Sequence, residues 1–194
     1  MKTAVRALIA IVILVVLTGV VYPLVMTGFA QVALRHDADG SLVQRNGADV
    51  GSSLIGQEWK GPEWFYGRPS AVEYDASTSS GTNLGPTSRT LSDDIARRVS
   101  KILQLEGPYT SGLTAAQIPV DLLTSSGSGL DPDISVEAAR FQAPRIASIR
   151  HLTVDQVQQL IDDHTTGKTL GFLGKSYVNV LELNLALDAR APSP

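Results

Sequence analysis

The sequence predicts an α+β fold: one N-terminal transmembrane helix, followed by a single small mixed domain with helices packed on a short sheet. The first observation behind this prediction is a 24-residue window without charge, 7–30. The second is apolar periodicity typical of helices in three segments, 92–106, 135–150 and 153–166. The third is alternation of apolar and polar residues over 177–187, which is typical of a strand. Helices and strands mixed along about 160 residues indicate one α+β domain.

Composition excludes several classes of protein. The chain has 194 residues, with 16 Lys and Arg against 19 Asp and Glu, for a net charge of −3. This balance gives no basis for nucleic-acid binding, which needs clustered basic residues to neutralise phosphates. The absence of cysteine excludes disulfides, Cys-ligated zinc, iron–sulfur clusters, a thiol nucleophile and a lipidated N-terminal cysteine.

Residues 1–30 are predicted to form a membrane anchor, with the transmembrane span at about 7–29. A helix needs roughly 20 apolar residues to cross the hydrocarbon core of a bilayer, and this stretch supplies them. Lys2 and Arg6 precede the span, so the positive-inside rule places the N-terminus in the cytoplasm. Residues 31–194 are then expected outside as a soluble domain, with 14 positive and 19 negative charges.

An uncleaved anchor has two alternatives. A cleaved signal peptide would use the small residues of 28–30, but the apolar stretch exceeds the roughly 7–15 residues usual for the core of such peptides. A buried helix of a soluble protein is disfavoured by the long uncharged window at the N-terminus. Pro23 lies near the far end of the span, where a break in the helix costs least. We therefore expect a single-pass membrane protein.

The segment after the anchor is predicted to be a stalk, a hairpin and a long loop. Residues 31–40 form the stalk or a short helix. Residues 41–45 and 51–57 are predicted strands, separated by the turn signal Asn-Gly at 46–47. Residues 61–91 are dominated by Gly, Pro, Ser, Thr and Asn and are expected to form a long structured loop.

The next elements are a long helix and a short irregular segment. The helix is expected to begin at 92–94, because Ser-Asp-Asp suits the positive end of the helix dipole. It is expected to stop at Gly107-Pro108. Residues 115–124 are predicted to be a second short helix or irregular structure, broken by Pro119. The apolar face of the long helix consists of Ile95, Val99, Ile102 and Leu103.

Two helices and a strand complete the predicted domain. The helix at 135–150 contains Pro144, which is expected to kink or divide it. Thr153 and Gln156 form a predicted capping box that starts the next helix, which ends before Gly167. The buried face of that helix is predicted to be Val154, Val157, Leu160 and Ile161. The strand at 177–187 has Leu181, Leu183, Leu185 and Leu187 on one side.

Motifs for metal binding and phosphate binding are absent or incomplete. The three histidines, His36, His151 and His164, are isolated in the sequence, so no metal site is predicted. Residues 165–169 imitate the end of a phosphate-binding loop, but the first glycine of that motif would fall at Asp162. We interpret this segment as a helix stop.

Catalytic motifs are also incomplete. Ser128 lies between two glycines, but a nucleophile elbow needs glycine at 126 and 130, where this chain has Ser126 and Leu130. The two carboxylates of 131–133 lack the further ligands of a calcium loop and are interpreted as a turn before a helix. No catalytic residue is predicted.

Three tracts combine Gly or Pro with side chains that can bond backbone groups. They are 67–71, 80–86 and 120–132. Their exposed amides and hydroxyls are suited to grip a partner or an anion. The alternative is that they are ordered loops covering the sheet.

These tracts, in this order behind one N-terminal helix, resemble the KdpC family, the C subunit of the Kdp potassium pump. The resemblance runs essentially end to end, with one departure at Asp133, where family members often carry His. It is carried by 54–57 (LIGQ), 65–70 (FYGRPS), 83–86 (NLGP), 121–132 (DLLTSSGSGLDP), 138–139 (AA), Gln142, 144–145 (PR) and 178–188 (VNVLELNLALD).

The resemblance implies a non-catalytic subunit of an ATP-driven, high-affinity potassium importer in the bacterial inner membrane. The implied partners are a channel-like potassium-translocating subunit, a P-type ATPase subunit and a very small membrane subunit, besides the lipid bilayer. The chain lacks the Asp-Lys-Thr-Gly-Thr phosphorylation motif, so it is not expected to form an aspartyl phosphate. One helix also cannot enclose an ion path. We expect an accessory subunit that is not itself an enzyme.

Two roles are compatible with the resemblance. The family is described as a catalytic chaperone that raises the affinity of the ATPase subunit for ATP in a transient ternary complex. ATP would then be bound only within the complex, and no stably bound cofactor is expected. Because ATP is cytoplasmic and the domain is expected outside, the second role, capping the translocating subunit and stabilising assembly, fits the topology better. Coupling between distant sites would reconcile the two.

The candidate contact residues come from the signature segments. Those able to offer amides, hydroxyls or a guanidinium to a nucleotide or partner are Ser126, Gly127, Ser128, Gly129 and Arg145. The alternative is that this loop is structural and that Arg145 pairs with a carboxylate. Further partner-contact candidates are Arg68, Asn83, Gly85, Asp121 and Gln142.

Two functions from other classes remain open at this point. An anchored serine hydrolase would use Ser126 or Ser128 and would react with a serine-directed probe. An anchored binding module for an envelope ligand would be stable and monodisperse alone.

Overall fold

The computed structural model describes residues 1–192. A π-helical turn, Leu17–Val21, joins the first two helices, and short 3₁₀ turns lie at Gly107–Tyr109, Ala115–Gln117 and Val120–Leu122. The helices and strands are α1 (Lys2–Val16), α2 (Tyr22–Ala33), α3 (Arg35–Ala38), β1 (Leu42–Arg45), β2 (Ala48–Ser52), α4 (Arg89–Glu106), β3 (Asp133–Ser135), α5 (Val136–Ile149), α6 (Val154–Asp163), β4 (Thr165–Thr166), β5 (Tyr177–Asn179) and α7 (Val180–Arg190).

The chain forms two compact units, Met1–Ser52 and the residues from Ser53 onward. The anchor predicted for 1–30 lies inside the first unit, together with a hairpin. The predicted boundary between anchor and soluble domain, after residue 30, stays a prediction.

The first unit begins with one continuous apolar helix, Lys2–Ala33. It has 32 residues and is long and apolar enough to cross a membrane. None of its residues is buried, unlike the core helix of a soluble protein. Pro23 does not break this helix, because the π-helical turn lies directly before it. Such a wider turn accommodates the missing N–H and the ring of proline.

A two-stranded antiparallel hairpin follows in the same unit. Arg45 pairs with Ala48 across the Asn46-Gly47 turn, and both turn residues have positive φ, as a tight hairpin turn requires. The turn prediction is confirmed. The second strand starts three residues earlier than predicted, at Ala48, because the strands pair directly at the turn.

The second unit is built on a three-stranded antiparallel sheet, ordered β3-β5-β4. Val178 in the central strand is fully buried and pairs with Ile134 on one side and Thr165 on the other. α6 packs against α5 and α7 packs against α6. The buried core consists mainly of Phe65, Ile134, Ala138, Ala139, Ala143, Ile146, Val157, Leu160, Ile161, Val178, Val180, Leu183 and Leu187.

The strand predicted for 177–187 is wrong beyond Asn179. The structure has a strand of three residues and then α7, whose first turn is capped by the Asn179 side chain accepting from the Glu182 amide at 3.2 Å. The buried positions of α7 recur at helical spacing, since Val180, Leu183, Asn184 and Leu187 are all buried. Because the polar Asn184 lies on this buried face, apolar and polar residues alternate along the sequence as they would in a strand.

The other predicted helices are all present, but some begin or end at different residues than predicted. α4 begins at Arg89 and not at 92–94, because the Ser88 hydroxyl accepts from the Leu91 amide and caps the helix there. Its predicted end before Gly107 is confirmed. α5 continues through Pro144 as a single helix.

The start of α6 matches the predicted capping box. The Gln156 amide donates to the Thr153 hydroxyl at 3.2 Å, and the Thr153 amide donates to Gln156 Oε1 at 2.9 Å. Val154 is exposed and not buried as expected, whereas the other three apolar residues of the predicted face are buried. The α+β class with one apolar N-terminal helix is confirmed.

Candidate functional site

Two amide side chains, on α5 and α7, hold the loop 59–66 against these helices. This segment is the clamped loop, and the side chains that hold it form the clamp. Gln142 of α5 accepts from the Tyr66 amide at 2.8 Å and donates to the Tyr66 carbonyl at 3.1 Å. Asn184 of α7 does the same for Phe65, at 2.9 and 3.0 Å. Both amide side chains are buried. The backbone groups of two consecutive loop residues are thus satisfied as a neighbouring strand would satisfy them.

Arg145 of α5 extends this clamp and is fully buried. Its Nε donates to Glu106 Oε1 at 2.8 Å, and Nη2 donates to Gln142 Oε1 at 2.9 Å. Nη1 donates to the carbonyls of Trp64, at 2.9 Å, and Pro62. Arg145 therefore pairs with a carboxylate, as the structural alternative expected, and its guanidinium faces protein atoms.

Arg150, just after α5, holds the same loop from the other end. Its Nε donates to the Glu63 carbonyl at 3.1 Å, and its guanidinium carbon lies 4.3 Å from the centre of the Trp64 ring. Nη1 donates to the Ala191 carbonyl at 3.0 Å and forms an ion pair with Asp188 at 3.3 Å. Arg150 thus joins the loop to the C-terminal ends of α5 and α7.

Two further arginines hold the segment after position 122. Arg68 forms a half-buried ion pair with Asp131 at 3.1 Å. Arg98 of α4 donates to the Leu123 carbonyl at 2.7 Å and to the Ser125 hydroxyl at 3.0 Å. Arg68 therefore joins the first turn-rich tract, 67–71, to the third, 120–132.

The three turn-rich tracts of the sequence lie side by side. The Ser126 amide donates to the Pro69 carbonyl at 3.2 Å, which joins the first and third tracts. The Ser80 amide donates to the Ser128 carbonyl at 2.9 Å, which joins the second and third. The sequence prediction singled out these tracts separately, and the structure brings them together into one surface.

The candidate hydroxyls in this surface bond to the backbone of their own loop. The Gly129 amide donates to the buried Ser126 hydroxyl at 2.9 Å, and the Leu130 amide donates to the Ser128 hydroxyl at 3.1 Å. The hydrolase alternative would need a histidine bonded to one of these hydroxyls. Within residues 1–192, no histidine is among their hydrogen-bond partners. Gly127 and Ser128 are exposed and remain the accessible part of this candidate site.

The other candidates separate into structural and exposed positions. Asp121 accepts from the Ser135 amide at 2.7 Å, so its carboxylate supports the start of α5. Asn83 and Gly85 are exposed, and Asn83 holds a positive φ of 52°. In the described part of the chain, no group of three or more His, Asp or Glu residues is placed to hold a metal ion.

A cleft of about 1030 Å³ lies between α4 and the clamped loop. Its lining carries both signs of charge, and Glu106 and Gln142 of the clamp also reach it. Glu106 Oε2 and Arg68 Nε are buried without a hydrogen-bond partner among residues 1–192. The charged residues that line the cleft are Glu58, Lys60, Arg68, Glu73, Arg98, Lys101 and Glu106.

Burial perturbs three ionisable groups around this surface. Burial, followed by the nearby Asp131 carboxylate, raises the pKa of Asp133 to about 6. The same two causes raise the pKa of Tyr74 to about 12. Burial raises the pKa of Glu106, while the Arg145 guanidinium limits the rise. Their hydrogen-bond partners are the Arg68 carbonyl for Tyr74, Arg145 for Glu106 and Asn179 for Asp133, so among the described residues these three groups do not form a nucleophile–base pair.

Sequence reasoning missed three residues of the clamp. Asn184 falls on the polar side of the strand predicted for 177–187, and the sequence analysis singles out neither Glu106 nor Arg150. Their bonding partners are far away in the sequence, 119 residues in the case of Asn184. A local pattern carries no signal for such pairs.

Sequence comparisons relate this chain to one family of known proteins. The family model described as KdpC, K⁺-transporting ATPase, c chain, matches residues 4–189. The chain is 49% identical to the potassium-transporting ATPase KdpC subunit of Rhodopseudomonas palustris (strain TIE-1), with 96% of each chain covered. It is 45% identical to the subunit of the same name from Bradyrhizobium diazoefficiens, with 95% of this chain and 96% of the relative covered. A third KdpC subunit, from Herpetosiphon aurantiacus, is 49% identical with 97% of each chain covered.

A family match over nearly the whole chain, together with an apolar helix of membrane-spanning length, associates this protein with a membrane transport complex. The chain belongs to the KdpC family, the c chain of K⁺-transporting ATPases.

Proposed function

We propose that this chain is a non-catalytic subunit of an ATP-driven, high-affinity potassium import complex. In this proposal it assembles with the potassium-translocating, channel-like subunit, the P-type ATPase subunit and a small membrane subunit, and it stabilises their association. It lies in the bacterial inner membrane, with the N-terminus in the cytoplasm and the C-terminal domain outside. There the domain caps the translocating subunit.

The proposal rests on the hydrogen bonds made by side chains in the segments that carry the family resemblance. Gln142, Arg145 and Asp121 all bond to this chain's own backbone or carboxylates. Such a network fixes loop shape and does not converge on a point where a substrate atom would react. A rigid surface of fixed shape is what a subunit needs in order to contact partner subunits.

A second effect, a raised affinity of the ATPase subunit for ATP, belongs to the same proposal as a consequence of assembly. ATP is cytoplasmic, so a domain outside the membrane would act through the membrane subunits by coupling free energy between two sites. Direct contact with ATP would instead use the exposed backbone at Gly127 and Ser128, and only within the complex.

Co-purification tests the proposal. The C-terminus is tagged, membranes are extracted in mild detergent, and the proteins retained with the tag are identified by mass spectrometry. We expect a P-type ATPase and a large polytopic subunit in fixed ratio, with potassium-stimulated ATP hydrolysis. A chain recovered alone, under conditions that induce potassium uptake, would refute the proposal. Labelling by a serine-directed probe would favour the hydrolase alternative.

A variant in the membrane span makes this test specific. Gly19 is small and open on its helix, since a Cβ there would meet nothing within 4 Å. Small residues allow close packing of membrane helices, so Gly19→Leu should reduce the yield of partner subunits severalfold. Val20→Leu changes a neighbouring exposed apolar residue without removing a small one and should leave the yield unchanged. Equal yields for both variants would count against helix packing at this position.

The proposed orientation has its own measurement. The chain has no cysteine, so one cysteine can be placed at the exposed Gln158 of α6. In intact inner-membrane vesicles of known sidedness, a membrane-impermeant maleimide should react only where the outer face is exposed. Reaction from the cytoplasmic face would reverse the orientation and allow direct contact with ATP.

A further inference from the structure

The connection between β4 and β5 presents an apolar tip to solvent. Leu170, Phe172 and Leu173 are 79%, 72% and 50% exposed. Exposed apolar side chains grouped at one tip, and not scattered singly, are typical of surfaces that contact a partner or a membrane. Nothing else in the described chain from Ser53 onward exposes three large apolar residues within four positions.

The tip is an ordered turn. The Thr169 amide donates to the Leu173 carbonyl at 3.0 Å, and the Leu173 amide donates back to the Thr169 carbonyl at 2.9 Å. Leu170 and Gly171 both have positive φ inside this small closed turn. The turn therefore holds its apolar side chains outward without help from the core.

The base of the connection is anchored in the sheet. Thr166 pairs with Tyr177, and the neighbouring Val178 is fully buried at the centre of the sheet. The apolar tip is thus carried on paired strands, which reduces the conformational entropy that contact with a partner would cost.

The charge around the tip differs from that of the rest of the domain. Lys168 and Lys175 flank the apolar residues, and no acidic residue occurs between Asp163 and Glu182. Residues 31–194 as a whole have 14 positive and 19 negative charges. The connection is therefore a basic, apolar segment on an acidic domain.

We propose that the segment 168–175 inserts its apolar tip into the interfacial region of an anionic bilayer, with its lysines on lipid phosphates. Apolar residues flanked by lysine are the chemistry by which surface segments bind membranes, apolar burial combining with attraction to anionic headgroups. The chain's own apolar helix, when inserted, tethers the domain to a bilayer and so raises the effective concentration of such a surface. The inference goes beyond the proposed function, because it requires no partner subunit.

A lipid surface fits the segment better than a protein groove. A groove on another subunit would need shape complementarity to the tip and a separate partner for each of the two exposed lysines, whereas an anionic bilayer interface accepts apolar residues and both lysines at once. The charge asymmetry, positive here and negative elsewhere, also orients this segment toward an anionic surface.

The absence of cysteine allows a direct test with the full-length chain. Phe172→Cys is labelled with an environment-sensitive fluorophore, and the protein is reconstituted in nanodiscs that contain phosphatidylcholine and phosphatidylglycerol. A matched control carries the same label at Gln158→Cys, which is exposed on α6. Lipids with a spin-label quencher near the headgroup are then added to the discs.

We expect the label at 172 to shift to shorter wavelength and to be quenched at least twofold more than the label at 158. In discs of phosphatidylcholine alone, or with Lys168→Glu and Lys175→Glu together, the quenching at 172 should fall toward that of the control. Equal quenching at both positions would overturn the proposal. Shielding of the label at 172 only after partner subunits are added would also overturn it, in favour of protein docking.

Discussion

Replacing Arg145 with Met removes the charge that balances a buried carboxylate. Arg145 is fully buried, and its Nε donates to Glu106 Oε1 at 2.8 Å. Met fills much of the same volume without a charge, so the Glu106 carboxylate would keep its burial and lose its cation. Breaking a buried ion pair from one side costs about 3–5 kcal/mol, because the remaining charge is uncompensated.

The size of the effect follows from the protonation of Glu106. The ordinary pKa of glutamate is 4.5, and without the guanidinium the buried carboxyl binds a proton that the unfolded chain releases. At pH 7.0 this protonation costs at most about 3.4 kcal/mol, at about 1.36 kcal/mol per pH unit. At pH 5.0 the cost is only about 0.7 kcal/mol by the same relation. Carbonyls left without a donor add about 1–2 kcal/mol at either pH.

Tryptophan fluorescence provides the assay. The chain has two tryptophans, Trp59 and Trp64, whose rings lie 4.9 Å apart in the clamped loop. Guanidinium unfolding of the full-length chain in detergent should show Arg145→Met less stable than wild type by about 5 kcal/mol at pH 7.0 and about 2 kcal/mol at pH 5.0. Arg140→Met, on the same helix, breaks an exposed ion pair with Asp162 and should cost about 0.5 kcal/mol or less.

A destabilisation that is the same at both pH values would refute this reasoning, because the titrating carboxylate is its cause. The double variant Glu106→Gln with Arg145→Met checks the identity of that group. Without a carboxylate to neutralise, it should be about 2 kcal/mol more stable than Arg145→Met at pH 7.0 and should show little difference between the two pH values. A double variant as pH-dependent as the single one would assign the effect to another residue.

Three further changes are measured by the same unfolding assay. Because the pKa of Asp133 is raised to about 6 from 3.8, the folded state keeps a proton that the unfolded state releases, and wild type should lose stability as pH rises from about 4 to 6. Asp133→Asn should reduce this loss, leaving the part that comes from the raised pKa of Glu106, and be about 1 kcal/mol more stable than wild type at pH 8, after allowance for solvent screening, whereas Asp163→Asn, on an exposed residue, should keep the wild-type profile. Gly129→Ala should cost at least about 2 kcal/mol, because its φ is +71° and a Cβ would lie 2.8 Å from the Ser80 carbonyl oxygen; Gly127→Ala, where a Cβ meets nothing within 4 Å, should be nearly neutral. Asn184→Leu should cost about 2–4 kcal/mol, since it leaves a buried amide and a buried carbonyl of the loop unpaired; a neutral result would mean that water replaces the side chain.

Features with local causes are those that the sequence predicts well. The membrane-length helix depends on composition over one continuous stretch, and the capping box of α6 depends on two residues three positions apart. The Asn46-Gly47 turn depends on the ease with which these residues adopt positive φ. In each case the interacting groups are neighbours in the sequence, so their pattern is visible in it.

Features that depend on distant partners are predicted poorly. α7 resembles a strand in sequence because Asn184 occupies a buried helical position, and that position suits a polar residue only when the Phe65 backbone lies opposite. Its partner is 119 residues away. The tertiary contact thus overrides the local period.

The candidate site shows the same division. The tracts around Arg68, Ser80 and Ser128 are recognisable by their turn residues, yet their meeting at one surface depends on hydrogen bonds between segments far apart in sequence. Arg145 is recognisable as part of a signature but not as a buried residue. Its burial depends on Glu106, which lies 39 positions earlier and on another helix.

The segments that carry the family resemblance are therefore largely those that hold loops in place. The side-chain oxygen and nitrogen of Gln142 both bond to the backbone of a residue 76 positions away. Very few residue types could make both bonds at this position. A surface that meets a bilayer or a subunit needs only apolarity, charge and shape, and many residue types satisfy it. Variants of Gln142 should consequently lower stability and complex yield together, whereas variants of the exposed Phe172 should leave stability unchanged and alter membrane contact alone. A Gln142→Leu chain with wild-type stability and no bound partners would contradict this division and place the contact surface in the clamp itself.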